Sequence, residues 1–265
     1  MQFGNIMKNR PGEAFLFLNG RQFLANLTRG FDISRPVRVQ RGARAFGIPA
    51  AEVKAFRAGT FVGDVRQGGS CNCESVTFTP HGNGTHTESW GHLTKKRVGV
   101  LAELTDILLH THLISLQPHA RAKGDLVIEA EQIKTALNGL PNPEALVVRT
   151  LFPTPRKLSD IPAYFAADAL HFLAKQGVRH LVTDLPSLDR FDDKKLMAHR
   201  AWWDLPVGAE KPHPRRRHCT VTELARIASR VKDGTFIMNL QVVGFPTDAS
   251  PSRPILFPAL MFGKM

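Results

Sequence analysis

The stretch Thr79-Pro-His81-Gly-Asn-Gly-Thr-His86-Thr-Glu88-Ser-Trp-Gly-His92 gathers three imidazoles and a carboxylate into a short, glycine-rich segment. Imidazole nitrogens and carboxylate oxygens are ordinary ligands of zinc and manganese. Glycine lets the backbone turn tightly enough for neighbouring side chains to converge. Where a segment is extended, residues two apart point the same way, so His86 and Glu88 can face one ion together. His92 follows Glu88 closely enough to reach the same pocket from a following turn. A polar turn held by its own hydrogen bonds is the other reading these residues allow.

Further along, Thr220-Val-Thr-Glu223 has the capping-box pattern. It predicts a helix starting near Thr220, with the Glu223 side chain reaching back to the backbone. His199 taken alone reads as a polar residue near a helix end. Asp184-Leu-Pro-Ser-Leu-Asp189 reads as a turn with both aspartates as turn formers. Ser187 lacks the Gly-x-Ser-x-Gly elbow of a nucleophilic serine. Cys71 and Cys73 form a C-x-C pair, and Cys219 stands far from both. That spacing supports no disulfide framework, so buried or half-buried free thiols are expected.

The elements that must position these residues are partly legible. Phe15–Leu18, Asn19-Gly20 and Arg21–Leu27 predict a β-hairpin, because Asn-Gly suits a two-residue type I′ turn. Residues 31–40 predict a further strand, 41–70 loops, and 74–79 a strand ending at the histidine-rich segment. Val98, Leu101, Leu104, Ile107 and Leu108 have helical spacing across 95–110. Short strands are expected at Leu113–Leu116, Leu126–Ile128, Ala145–Thr150 and His180–Asp184. A helix is expected over 159–176, capped by Ser159 or Asp160 and ended by Gly177. Thr235–Phe245 reads as a long final strand. Strands and helices alternate, which predicts the α/β class, or mixed α/β with an antiparallel part.

The formal charge of +12 over 265 residues suits nucleic acid, an anionic surface or an acidic substrate. Its clearest concentration is Lys211-Pro-His-Pro-Arg-Arg-Arg-His218. Prolines on both sides of His213 predict an extended, solvated loop. Neutralising Arg215, Arg216 and Arg217 together should then leave the melting point nearly unchanged. No zinc-finger spacing, glycine loop or aromatic RNA-binding signature accompanies the charge, so nucleic acid is not expected as a partner. No apolar run approaches the roughly 20 residues that span a bilayer, so no membrane association is expected. The first residues carry no apolar h-region, and the expected location is the cytoplasm.

Gly84-Thr85-His86, Glu88 and His92 are followed in order by Asp184-Leu-Pro-Ser-Leu-Asp189, His199, Glu223 and Asp248-Ala-Ser-Pro-Ser-Arg253. This ordered set resembles the cyclase-like family of metal-dependent hydrolases, which includes bacterial kynurenine formamidase and isatin hydrolase. The family pattern is His-x-Gly-Thr-His-x-Asp-x-Pro-x-His. Gly82 stands where its first histidine should be, so His81 serves only if the turn holds one extra residue. Glu88 takes the aspartate position and Trp90 the proline position.

The resemblance implies a single cyclase-like domain over residues 1–265 of swivelling β/β/α fold, with residues 1–30 as an N-terminal hairpin extension. It also implies one or two ions, zinc or manganese. His81, His86 and Glu88 would hold the first, and Glu88 would bridge to a second held by His199 and Glu223. His92 would be the general acid/base. The implied reaction is hydrolysis of a small amide or formamide, as with the family's N-formylkynurenine and isatin, and the implied assembly is a homodimer or larger homo-oligomer. The alternative is a catalytically inactive small-molecule binding protein that keeps the fold.

Overall fold

A computed structural model describes residues 11–152 and 162–262. The expected hairpin is present as β1 (Glu13–Leu18) and β2 (Arg21–Asn26). Leu18 faces Arg21 across the turn, and Asn19 and Gly20 both take positive φ, 49° and 70°, as a type I′ turn requires.

Seven further strands form a closed ring: β3 (His86–Glu88), β4 (Leu108–Leu116), β5 (Ala145–Thr150), β6 (His180–Thr183), β7 (Thr220–Glu223), β8 (Gly234–Val242) and β9 (Ala249–Phe262). Their order is β9-β8-β4-β5-β6-β7-β3, and β3 pairs back onto β9. The run β4-β5-β6-β7 is parallel and the other neighbours are antiparallel. β2 pairs with the far end of β9, Ala25 opposite Ala259, which carries the hairpin outside the ring. Alternate residues of each strand point to opposite faces. Leu113, Val147, Val182, Met238, Leu240 and Leu256 fill the interior. Ile114, Leu146, Leu181 and Val221 face outward onto a helical layer. That layer contains α2 (Ala130–Leu137), α3 (Ala167–Lys175) and α4 (Met197–Trp203); the earlier helical turn Pro80–Asn83 is α1. Ile133, Leu170, Leu173, Trp202 and Trp203 from the helices are fully buried there, each contributing about 1.5–3 kcal/mol by the usual area relation. The fold is mixed α/β, as expected. No helix among the described residues is long and apolar enough to cross a membrane.

Several expectations are corrected. Thr220–Glu223 is a strand, not a helix start. His180 pairs with Thr220 on one side and Val221 with Glu88 on the other, and two partners outweigh a local capping pattern. Of residues 95–110, only Val100–Glu103 turns helically, while Leu108 opens β4. Pairing on both edges of β4 overrides a helical match at a few apolar positions. The strand expected over 31–40 shrinks to Phe31–Asp32. Of the helix expected over 159–176, only Ala167–Lys175 is helical, as α3, with Gly177 at φ 81° after it, while Tyr164–Phe165 pairs as a strand with Val127 and Ile128; Ser159 and Asp160 lie outside the described residues. Thr235–Phe245 is not the final strand, because β9 follows it. Pro251, Pro254 and Pro258 lie within β9, and proline ordinarily argues against a strand interior.

The cysteines divide. Cys219 is buried, but Cys71 and Cys73 are exposed. The Cys73 backbone bonds to Phe56 and Gly63, in a segment where both cysteines stand at the surface.

The basic segment is also more than a solvated loop. Arg216 is buried; its guanidinium sits 4.3 Å from the Trp202 ring centroid and donates to the Trp202 and Val178 carbonyls at 2.8 and 2.6 Å. Arg217 Nε and His218 Nδ1 each lie 3.4 Å from the fully buried carboxylate of Glu103. A charge run in sequence carries no sign of which cation has an apolar floor beneath it.

Two buried histidines set an acid limit on stability. His180 on β6 is fully buried and pushed down to about 3, first by burial and then by Arg179. His110 on β4 is likewise pushed down to about 3 by burial, His112 and Arg21. Unfolded histidine titrates near 6.5. A depressed folded value means the stability is present above about pH 6.5 and is lost as pH falls towards 3. His92 and His199 shift the other way, so the test is a difference. Between pH 7.5 and 5, the denaturation midpoint of the parent should drop more than that of His180→Gln; equal drops would count against the assignment.

Candidate active site

His81 stands on α1, which Pro80 opens with its fixed φ. The Asn83 side chain ties this turn down. Its oxygen accepts from Thr79 N, and its amide donates to the Ala43 and Pro49 carbonyls. The turn supplies the extra residue that His81 needs, and His81 Nε2 comes within 3.5 Å of Glu88 Oε2. Gly84 then lets the chain pass close to Val37 and the Arg35 carbonyl, where a Cβ would meet atoms at 2.9 Å. The backbone enters β3 directly after it.

On β3, His86 and Glu88 point the same way and are fully buried. His86 Nδ1 donates to the Gly84 carbonyl at 3.1 Å, which leaves Nε2 with its lone pair free. That nitrogen lies 3.5 Å from Glu223 Oε2. Glu223 comes from β7, the neighbour of β3, and its Oε1 accepts from Leu188 N at 2.9 Å. His199, on α4, brings Nε2 to 2.9 Å from Glu88 Oε1 and 3.3 Å from Glu223 Oε1. Its Nδ1 donates to Asp189, whose carboxylate also accepts from the Ala198 and His199 amides. Asp189 is therefore not only a turn former. It caps the first turn of α4 and fixes which way the His199 ring faces. His92, on the turn Trp90–Leu93, lies 4.0 Å from Glu88 Oε2.

The structure thus brings together all six residues singled out in the sequence. It groups His86, Glu88 and Glu223 at mutual ligand distance, and likewise His81, Glu88 and His92. Both groupings differ from the expected division: His86 stands with Glu223 instead of His81, His92 takes the place beside His81, and His199 belongs to neither grouping. Asp248 was read only as part of a closing segment, yet its Oδ2 lies 3.3 Å from both His81 Nε2 and His92 Nδ1. No local pattern marks it; only its place just before β9, which pairs with β3, brings it here.

The electrostatics favour a cation. Burial pushes Glu88 up, but His92, His199 and His81 outweigh burial and hold its carboxyl below the usual range. Burial pushes His199 down, but Glu88, Asp189 and Glu223 raise it well above its ordinary value. His81 Nε2, His86 Nε2, His199 Nε2 and both Glu88 oxygens are buried with no hydrogen-bond partner. Buried polar atoms are normally satisfied. Buried nitrogen and oxygen atoms gathered this way are what a divalent ion, replacing the proton on His199, would satisfy, and mixed nitrogen and oxygen donors fit zinc or manganese.

The family model described as "Putative cyclase" matches residues 27–190. Kynurenine formamidase of Bacillus cytotoxicus is 28% identical over 194 residues, covering 72% of this chain and 83% of that one. Kynurenine formamidase of Bacillus anthracis is 25% identical over 194 residues, with the same shares of 72% and 83%. Among solved structures, isatin hydrolase A from Labrenzia aggregata gives a TM-score of 0.59 at 14% identity, covering 86% of this chain and 93% of that one. A protein described as a potential metal-dependent hydrolase with cyclase activity gives 0.58 at 16% identity, covering 87% and 98%. At such identities the two structures speak for a shared fold alone. The matched residues contain the whole histidine-rich segment and four of the seven ring strands, and on that ground the chain belongs to the cyclase family.

Proposed function

We propose that the chain hydrolyses the amide or formamide bond of a small molecule. In this reading one or two divalent ions, zinc or manganese, are held by His81, His86, Glu88, His199 and Glu223, and His92 is the general acid/base. The observation that carries the reading is the convergence of buried, unbonded imidazole and carboxylate atoms around Glu88. The kynurenine formamidase relatives and the shared fold with isatin hydrolase support the choice of bond. The chemistry such an ion supplies when bound is Lewis acidity, which acidifies water and polarises a carbonyl.

The chain's own residues do the rest. His86 is kept in the ligating tautomer by its bond to the Gly84 carbonyl, and His199 by its bond to Asp189. Glu88 faces both groupings, so it is the residue able to join them. Trp203 is buried and stacks on His199, ring centroids 5.9 Å apart, giving the cluster a dry wall that strengthens its electrostatics. His92 is partly exposed, with 28% of its side chain accessible. It can therefore meet a substrate and carry a proton between attacking water and leaving nitrogen. The non-catalytic alternative rests on the displaced first histidine and on glutamate in the aspartate position; of these, His81 lies in the cluster despite its displacement.

The test is turnover of N-formylkynurenine and isatin by the purified protein. Chelator should abolish activity, and zinc or manganese should restore it. No turnover of either compound at any metal content would sink the reading. His92→Ala should keep its ion by elemental analysis and lose about 10²–10⁴-fold in kcat. If that variant loses the ion, His92 is a ligand, as its place beside His81 allows.

A further inference from the structure

Asp248 lies outside the matched residues 27–190, and the backbone fixes it in place. Ser89 N donates to the Asp248 carbonyl at 2.9 Å, and the next residue, Ala249, pairs with Glu88. Its side chain therefore hangs over the rim of the site from the strand that closes the ring. Asp248 Oδ2 hydrogen-bonds His92 Nδ1 at 3.3 Å. His81 Nε2 is equally near that oxygen, at 3.3 Å, yet makes no hydrogen bond. The two imidazoles stack with centroids 4.6 Å apart and planes 30° apart.

An ionised carboxylate is an acceptor only, so the nitrogen bonded to it carries the hydrogen. Once Nδ1 is the N–H, Nε2 is the nitrogen with the free lone pair. Stacking on His81 sets the plane of the His92 ring, and the bond to Asp248 sets its rotation within that plane. We infer that Asp248 is a positioning residue. It holds His92 in the Nδ1–H tautomer and leaves Nε2 as the nitrogen that exchanges protons with the substrate. Asp189 does the corresponding work for His199 from the other side of the cluster. The consequence for catalysis rests on the acid/base reading of His92; the tautomer does not.

The tautomer is therefore read directly. Full-length protein labelled with ¹⁵N-histidine and supplemented with zinc, a diamagnetic ion, is studied by NMR at alkaline pH. The His92→Ala spectrum identifies the His92 signals. The parent should show His92 protonated on Nδ1, and Asp248→Ala should return it towards the Nε2–H form that free histidine favours. His92 found as Nε2–H in the parent would overturn the inference, and so would an unchanged Nδ1–H form in a folded Asp248→Ala protein. The parent measurement needs no variant, so a poorly folding Asp248→Ala leaves the test standing.

A second arm uses turnover. Asp248→Ala should lower kcat about 10–100-fold, the usual cost of losing such a partner. KM should stay within about threefold, by the rule for interactions made only in the transition state, and zinc content should hold. Added to His92→Ala, the Asp248→Ala change should cost nothing further. Full additivity in the double variant would mean that Asp248 does not act through His92. If the parent turns over neither N-formylkynurenine nor isatin, the proposed function fails, while the NMR arm still decides the role of Asp248.

Discussion

Glu88→Gln is expected to abolish binding of the proposed divalent ion, and turnover with it, while leaving a folded chain. Glu88 belongs to both ligand groupings and is fully buried on β3. Its oxygens lie 2.9 Å from His199 Nε2 and 3.5 Å from His81 Nε2. Glutamine matches the shape but replaces one acceptor oxygen with an N–H₂ donor and removes the charge. Loss of a partner outside the ligand set already costs about 10–100-fold in metal affinity, so loss of the shared ligand should cost more than about 100-fold. Elemental analysis after dialysis reads the ion, circular dichroism reads the fold, and N-formylkynurenine turnover reads the activity. A Gln variant that retains a full complement of ion would show that the ion, if any, sits elsewhere.

Arg216→Ala should lower folding stability by about 2–4 kcal/mol, the largest effect expected from any residue of the basic segment. Removing the guanidinium leaves the buried Trp202 and Val178 carbonyls without their donor; an unsatisfied buried polar group costs about 1–3 kcal/mol. It also removes the cation from the face of Trp202, worth about 0.5–2 kcal/mol. Lysine is a poor substitute, because one ammonium cannot reproduce the planar fork. Arg215 is exposed, and its alanine variant should change stability by less than about 0.5 kcal/mol. Urea midpoints compare the two. Equal midpoints would mean that Arg216 behaves as a solvated surface charge. Trp202 lies on α4 with His199, so a loosened Arg216 also reaches the site through the helix that carries one of its imidazoles.

How much of this was legible in the sequence depends on the range of the interaction. His81, His86, Glu88 and His92 were readable because they lie close together and their types suit one chemistry. The hairpin was readable because Asn19-Gly20 determines a turn by itself. Glu223 and His199 were reached only through a family resemblance; from local pattern, Glu223 pointed to a capping box that β7 replaces. Ring closure was not legible at all. β9 carries three prolines and was not expected as a strand, yet it pairs with β8 through Ser252–Pro258 and with β3 at its start. Arg216, Asp189 and Asp248 look like neighbours of equal standing with the residues around them. Burial against Trp202, a helix start and a strand seam distinguish them, and none of these is a local property.

The ring closes on a strand of three residues, and that strand carries His86 and Glu88. One of its edges meets β7 from late in the chain and the other meets β9 from its end. A chain emerging from a ribosome therefore displays the histidine-rich segment long before it has anywhere to put it. Glu223 comes beside the segment only once β7 has paired with it, and Asp248 only once β9 has. The cluster needs both pairings, and an ion bound there would fasten the histidine-rich segment to β7 and α4, which carry Glu223 and His199. By linkage, whatever ion affinity the finished site has becomes stability of that seam.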